Sequence, residues 1–232
     1  MKNFITIAIA ATLASGLSLS TLAAQDGKTK GADKSAEKQA EGKDNKGGRG
    51  KGDAKSGKGA VAKVGEAAPN FTLKTVDGKD WSLSDAKGKV VVLEWVNPEC
   101  PVCVRVMKDG TVAKTLADAK AQYGDVVYVA VNSSAARKSS LDATGGYLKE
   151  HKVDIPALLD TDGAVGKMYG ARTTPHCFVI DANGVLAYQG AIDDNQSGDG
   201  KTNYVVNALK QLKAGEKVSP SETKPYGCSV KY

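Results

Sequence analysis

Four cysteines, Cys100, Cys103, Cys177 and Cys228, carry the sharpest chemical signal in this chain of 232 residues. Cys100 and Cys103 close the stretch VVVLEWVNPECPVC, with only Pro101 and Val102 between them. Two thiols at this spacing can cycle between dithiol and disulfide, form a permanent staple or share a metal. A thiol attacks as its thiolate, and a cysteine at a helix N-terminus has its pKa lowered by the helix dipole and by free backbone N–H groups. Pro101 suits the first helical position, because its missing N–H would have no partner there. Cys100 is therefore the expected nucleophile, and Cys103, one turn on and more sheltered, is placed to resolve a mixed disulfide. Glu94 interrupts the apolar run before the pair. Buried, its carboxyl would have a raised pKa and could pass protons to or from the resolving thiol; on an edge, or paired to a lysine, it would not. Four thiols allow three full pairings, and spacing does not choose among them.

The surrounding elements must set this geometry. Phe71 and Leu73 alternate before Asp77-Gly78, and Trp81 and Leu83 after it, which reads as a hairpin. VVVLEWV is continuous enough for a strand buried on both faces. A helix after Pro101 is interrupted near Asp109-Gly110, resumes with Thr111 as the expected N-cap and ends at Gly124. VVYVAV at 126–131 is the next buried strand, followed by a helix around GYLKEHK, a short strand IPALL and a short helix AVGKMYG. Two further strands flank an Asn183-Gly184 turn. The last helix, NYVVNALKQLKAG, gathers Val205, Leu209 and Leu212 on one face. This alternation predicts an α/β fold with helices on both faces of the sheet.

Composition divides the chain. Residues 1–24 hold one lysine and then an uncharged apolar run ending in small residues, the layout of a secretory signal peptide. An uncleaved anchor is the competing reading, since a bilayer span needs about 20 apolar residues. Residues 25–62 are expected to form a disordered Lys/Gly-rich linker: 25–60 contain no aromatic residue and no Val, Leu, Ile or Met. Ten basic residues against six acidic ones lie in 25–60, whereas 21 stand against 20 from Val61 onward. The basic charge thus belongs mainly to the linker, which excludes a nucleic-acid role resting on a basic folded surface. A folded domain is expected over 63–218, and a tail carrying Cys228 over 219–232. Export, with no stable membrane insertion after cleavage, would place all four thiols in a periplasmic or secreted setting where disulfides persist.

The segments GEAAPNFTL, DGKDWSLSDAKGKVVVLEWVNPECPVC, TTPHCFVIDANGVLAYQGAIDD and KPYGCSVKY together resemble the thioredoxin-like redoxin family, including its peroxiredoxin-like members, over about residues 63–232. The resemblance implies a mixed central sheet with helices on both faces and an N-terminal β-hairpin. It implies that Glu94 is the buried acid beneath the dithiol. Thr174-Pro175 becomes the loop facing the cysteines, a cis proline that aligns an extended substrate with help from Pro101. The Gly-Cys ending implies exchange between Cys100 and Cys228 on a tail folded back over the sheet; a structural bridge from Cys228 to Cys177 is the alternative. His176 and Cys177 follow the Thr-Pro loop and could complete a Cys3His metal set with the dithiol, although strand alternation sends them to opposite faces.

The function expected is thiol-disulfide exchange with protein or small-molecule thiols and disulfides and a redox partner, without a cofactor. Thiol peroxidase activity is the alternative, and a metal-binding module a third. The peroxiredoxin pattern Pro-x-x-x-Thr/Ser-x-x-Cys fits neither thiol: Cys103 would need Val96 and Cys100 as its proline and hydroxyl residue, and Cys100 would need Leu93 and Asn97. With two histidines and no Gly-x-Ser-x-Gly, hydrolase chemistry has no supporting constellation.

Overall fold

A computed structural model describes residues 61–196 and 200–232. The expected secretory segment and nearly all of the expected linker lie outside the described residues. No helix among the described residues is long and apolar enough to cross a membrane.

The chain opens with the expected hairpin, β1 (Thr72–Thr75) and β2 (Asp80–Ser82), in the register Leu73 opposite Trp81. A 3-10 turn at Leu83–Ala86 leads to β3 (Val91–Trp95), every residue of which is buried. Next come α1 (Pro101–Lys108), α2 (Thr111–Gln122), β4 (Val127–Asn132), α3 (Lys138–Glu150), β5 (Ala157–Leu159) and α4 (Ala164–Tyr169). The chain continues through β6 (Thr173–Thr174), β7 (His176–Ile180), β8 (Leu186–Gly190), α5 (Tyr204–Lys213) and a two-residue β9 (Cys228–Ser229). Seven strands form one mixed sheet in the order β2-β1-β5-β4-β3-β7-β8. β3, β4 and β5 run parallel, while β7 lies antiparallel to β3 and β8 to β7. β6 and β9 make a separate two-stranded ladder.

Alternation along β3 divides the core in two. Val91, Leu93 and Trp95 face a layer containing Phe71, Val165, Tyr169 and Phe178. Val92 and Val96 face the other way, into a layer with Val106, Val112, Leu116, Tyr147, Val205 and Leu209. Helices α1, α2, α3 and α5 thus cover one face and α4 covers the other, the α/β arrangement expected of strands with no solvent face.

Two local differences from the sequence expectations have simple causes. Thr111 is the first helical residue of α2 and not its N-cap; that position falls to Gly110 at φ +82°, a left-handed conformation that glycine adopts freely. The exposed N-terminus is then capped by Asp109, whose Oδ1 accepts from Thr111 N at 2.9 Å. Helix α3 begins at Lys138, well before GYLKEHK, because Ser140 and Thr144 turn inward as hydrogen-bonding partners of buried Asn132. Two hydroxyls at helical spacing give no apolar periodicity to read.

Candidate active site

The site lies where β3 hands over to α1. Cys100 is the N-cap of α1 and Pro101 its first residue, as the Cys-Pro order implies. The connecting loop is held by its own side chains. Buried Asn97 accepts from Glu99 N at 2.7 Å and from Ser140 Oγ at 2.9 Å, and Glu99 binds Arg137 at 3.1 Å and Ser139 Oγ at 2.8 Å. The loop after β4 and the start of α3 therefore hold the cysteine in place.

Four of the expected site residues meet at Cys100. Its Sγ donates to Thr174 O at 3.1 Å, so the Thr174-Pro175 loop faces the dithiol, and that peptide is cis. Thr174 is paired with Cys228 in the β6–β9 ladder. Cys103 follows one turn along α1, and the pairing of Cys228 with Thr174 brings the tail thiol to the same place. Gly227 enables the close approach of the tail: at φ +121°, a Cβ there would sit 2.1 Å from Thr174 O. Cys100 and Cys103 are each only 1% exposed, Pro175 is buried, Cys228 is half-buried and Pro101 stands exposed at the rim.

These contacts separate the thiols chemically. Hydrogen bonding from Cys103, reinforced by Cys228, the Cys103 backbone N–H and the Thr174 hydroxyl, brings Cys100 down to about 4 against the opposing effect of burial. The Cys103 backbone N–H belongs to the helix end named by sequence. Burial, and then the Cys100 sulfur, push Cys103 well above the ordinary thiol value and Cys228 up to about 11. One sulfur is prepared as thiolate and two are held as thiols that can donate to it.

Glu94 lies beneath them, 1% exposed and opposite Cys177 in the β3–β7 register. Burial raises its carboxyl to about 7, opposed by one hydrogen bond from Tyr128 Oη to Oε2 at 2.7 Å. Its Oε1 and the buried Tyr147 hydroxyl have no hydrogen-bond partner among the described residues. Neither the edge location nor the lysine pairing is realised.

The remaining sequence candidates are dispersed. Cys177 is completely buried on the Glu94 face, and burial raises its thiol. His176 lies on the opposite face, its ring 4.4 Å from that of Phe178, and burial holds it neutral with a pKa near 3. The Cys3His set is thus not assembled, for the alternation reason given above. All four cysteines are free thiols, and Cys228 faces Cys100 instead of bridging to Cys177. Tyr128, Tyr147 and the anchors of the tail were not identified from sequence. Tyr128 had a readable sign, a hydroxyl-bearing residue inside the otherwise apolar VVYVAV, which has to find a partner when buried.

Comparison with known proteins gives the family and the fold. The family profile described as Redoxin matches residues 63–209. The thioredoxin-like protein YneN of Bacillus subtilis is 31% identical over 123 residues, covering 53% of this chain and 68% of that protein. The thiol-disulfide oxidoreductase ResA of the same organism is 32% identical over 120 residues, covering 52% of this chain and 63% of ResA, so the match spans about two thirds of each relative. Among solved structures, a hypothetical protein from Sinorhizobium meliloti 1021 superposes with a TM-score of 0.64 at 26% identity, covering 74% of this chain and 96% of that one. The fold is thioredoxin-like.

Proposed function

The chain belongs to the Redoxin family, and on that premise we propose that it is an exported thiol-disulfide oxidoreductase working through Cys100. The observation that carries this reading is the placement of Cys100 at the start of α1, one turn before Cys103, with its sulfur against Thr174 and the tail residue Cys228 paired with Thr174. The Cys100 thiolate attacks one sulfur of a substrate disulfide; that S–S bond breaks, a mixed disulfide forms, and the other substrate sulfur leaves and takes up a proton. Cys103 or Cys228 then loses its proton, attacks the Cys100 sulfur and expels the second substrate thiolate. Two electrons pass from the protein dithiol to the substrate, and the reverse sequence oxidises a substrate dithiol.

In this reading Glu94, with a pKa near 7, takes and returns the proton of the buried Cys103. Thr174 and Pro175 align an extended substrate beside the nucleophile, with Pro101 at the rim. Partners are protein or small-molecule thiols and disulfides, in keeping with the name borne by ResA. The secretory layout of residues 1–24 supports a periplasmic or secreted location, with 25–62 as a tether, 63–218 as the working domain and 219–232 as its tail.

Single Cys→Ser variants test the reading in a disulfide-reduction assay run beside a peroxide-consumption assay. Cys100→Ser should abolish disulfide exchange, and Cys103→Ser and Cys228→Ser should show by trapping which thiol resolves. Full exchange by Cys100→Ser, or peroxide turnover outpacing disulfide turnover, would overturn it.

A further inference from the structure

The tail does more than bring a sulfur to Cys100. Ser221 O accepts from Gln189 N at 3.0 Å and Thr223 N donates to Gln189 O at 3.1 Å, so the segment first adds to the outer edge of β8. Thr223 Oγ1 then accepts from Ala191 N at 2.9 Å and meets the Tyr188 hydroxyl. Tyr226 is only 8% exposed; its hydroxyl donates to the buried carboxylate of Asp193, and the guanidinium of Arg105 on α1 lies 5.9 Å from its ring centre. Two residues on, Cys228 pairs with Thr174. Beyond it, Val230 N donates to Arg172 O at 3.1 Å, Lys231 O accepts from Ala136 N at 3.0 Å, and the Tyr232 hydroxyl donates to Ala171 O at 2.6 Å. The Lys167 ammonium lies 5.5 Å from the Tyr232 ring centre.

β9 is therefore a two-residue ladder, too short to persist alone, fastened by one tyrosine before it and another after it. It occupies the free edge of Thr173–Thr174, the edge an extended chain would use to lie beside Cys100. We propose that Tyr226 and Tyr232 are positioning residues that strap the tail over the thiol site, presenting Cys228 to Cys100 and closing the β6 edge to an incoming polypeptide. The strap makes the site selective. A small disulfide needs only a brief opening around one sulfur, whereas a peptide disulfide must displace β9 and take its place in the ladder. This rests on the oxidoreductase reading and adds a gate to it.

Two probes with one leaving group separate the cases: an unstructured peptide whose single cysteine is a mixed disulfide with thionitrobenzoate, and the same mixed disulfide of cysteamine. Reduced protein carrying Cys228→Ser provides the background, so that only the strap is varied. Adding Tyr226→Ala, or Tyr232→Ala, should raise the ratio of peptide to cysteamine rates about fivefold, and Tyr226→Phe, which keeps the ring over Arg105, should raise it less. In a separate Cys103→Ala background that retains Cys228, oxidised glutathione should yield the Cys100–Cys228 disulfide, and Tyr226→Ala should lower that yield. Should Tyr226→Ala fail to fold, Tyr226→Phe and Tyr232→Ala carry both comparisons. Rate ratios and disulfide yield unmoved in folded variants would overturn the strap. Cys100→Ser separates the two ideas: unchanged colour release there would overturn the oxidoreductase reading, whereas its loss alongside unmoved ratios would remove only the gate.

Discussion

The two sides of the sheet each bury a carboxylate, and they treat it in opposite ways. Asp160, on the α4 side, is fully enclosed and bonded on both oxygens: Ser133 Oγ donates at 2.5 Å, Gly166 N at 2.8 Å and Val165 N at 3.2 Å. Ser133 in turn accepts from Trp95 Nε1 at 2.9 Å, so the network ends in the aromatic core. Among the described residues Glu94, on the α1 side, has one donor and an oxygen with no partner. Burial raises both carboxyls, but at Asp160 the Ser133 hydroxyl and two backbone N–H groups oppose it, whereas at Glu94 only Tyr128 does. A carboxylate bonded on all sides is a structural part; one left short of donors near a thiol is available to titrate.

That contrast is open to direct attack, and the greatest effect is expected where bonding is complete. Asp160→Ala leaves the Ser133 hydroxyl and two backbone N–H groups without their acceptor, which should cost about 3–5 kcal/mol in urea denaturation. A cost below about 1 kcal/mol would mean that water replaces the carboxylate and that the two sides do not differ as described.

Glu94→Gln should act in the opposite direction. The folded-state pKa of Glu94, about 7, lies above the ordinary 4.5, so between these values the folded protein binds more protons than the unfolded chain. Its contribution is fully present below about pH 4.5 and is lost as pH rises through 7. Glutamine does not titrate, so the variant should match the wild type near pH 4 and exceed it at pH 8 by about 3 kcal/mol. The same variant should slow disulfide exchange several-fold near neutral pH. Parallel stability curves for the two proteins across this range would refute the raised pKa, and an unchanged exchange rate would remove Glu94 from the mechanism.

The thiol end gives a third test. Cys100 owes its low pKa first to the Cys103 hydrogen bond, so Cys103→Ala should move the midpoint of thiolate absorbance from about 4 towards the ordinary thiol value near 8.5. A midpoint that stays near 4 would assign control to the helix end and to Cys228 instead.

Part of this site was legible in the residues alone. Cys100, Pro101 and Cys103 declare a strand-to-helix junction by spacing, and Glu94 stands out as the one charge in a run of buried-strand residues, although an edge position or a lysine partner would explain it equally well. The hairpins at Asp77-Gly78 and Asn183-Gly184 were readable because glycine marks the positive φ that each turn requires. Tyr128 could be recognised as a polar residue in a buried strand, but its partner could not, because the contact with Glu94 depends on the parallel pairing of β3 with β4. Asp160 is not legible in the residues for the same reason: its partners lie 27 residues before it and in the helix after it. The path of the tail escaped as well. Its hold comes from Tyr226 meeting Asp193 and Tyr232 meeting Ala171, contacts across 33 and 61 residues that leave no periodicity in KPYGCSVKY.

The smallest effect tests how completely the Glu94 side is underbonded. The Tyr147 hydroxyl is buried in the same layer as the dithiol, without a partner among the described residues. Replacing it with hydrogen in Tyr147→Phe removes a polar atom that lost its hydration on folding, so stability should be unchanged or rise by up to about 1 kcal/mol. The Glu94 titration should stay where it is. Tyr128→Phe makes the matched control: it removes the only donor to Glu94 among the described residues, so the Glu94 pKa should climb further and the pH-dependent loss of stability should extend to higher pH. If Tyr147→Phe instead destabilises the protein by more than about 1 kcal/mol, then its hydroxyl is bonded through a buried water. Glu94 Oε1 is also short of a partner on that side, and such a water joining it to the Tyr147 hydroxyl would give the carboxyl a second donor and bring it closer in kind to Asp160.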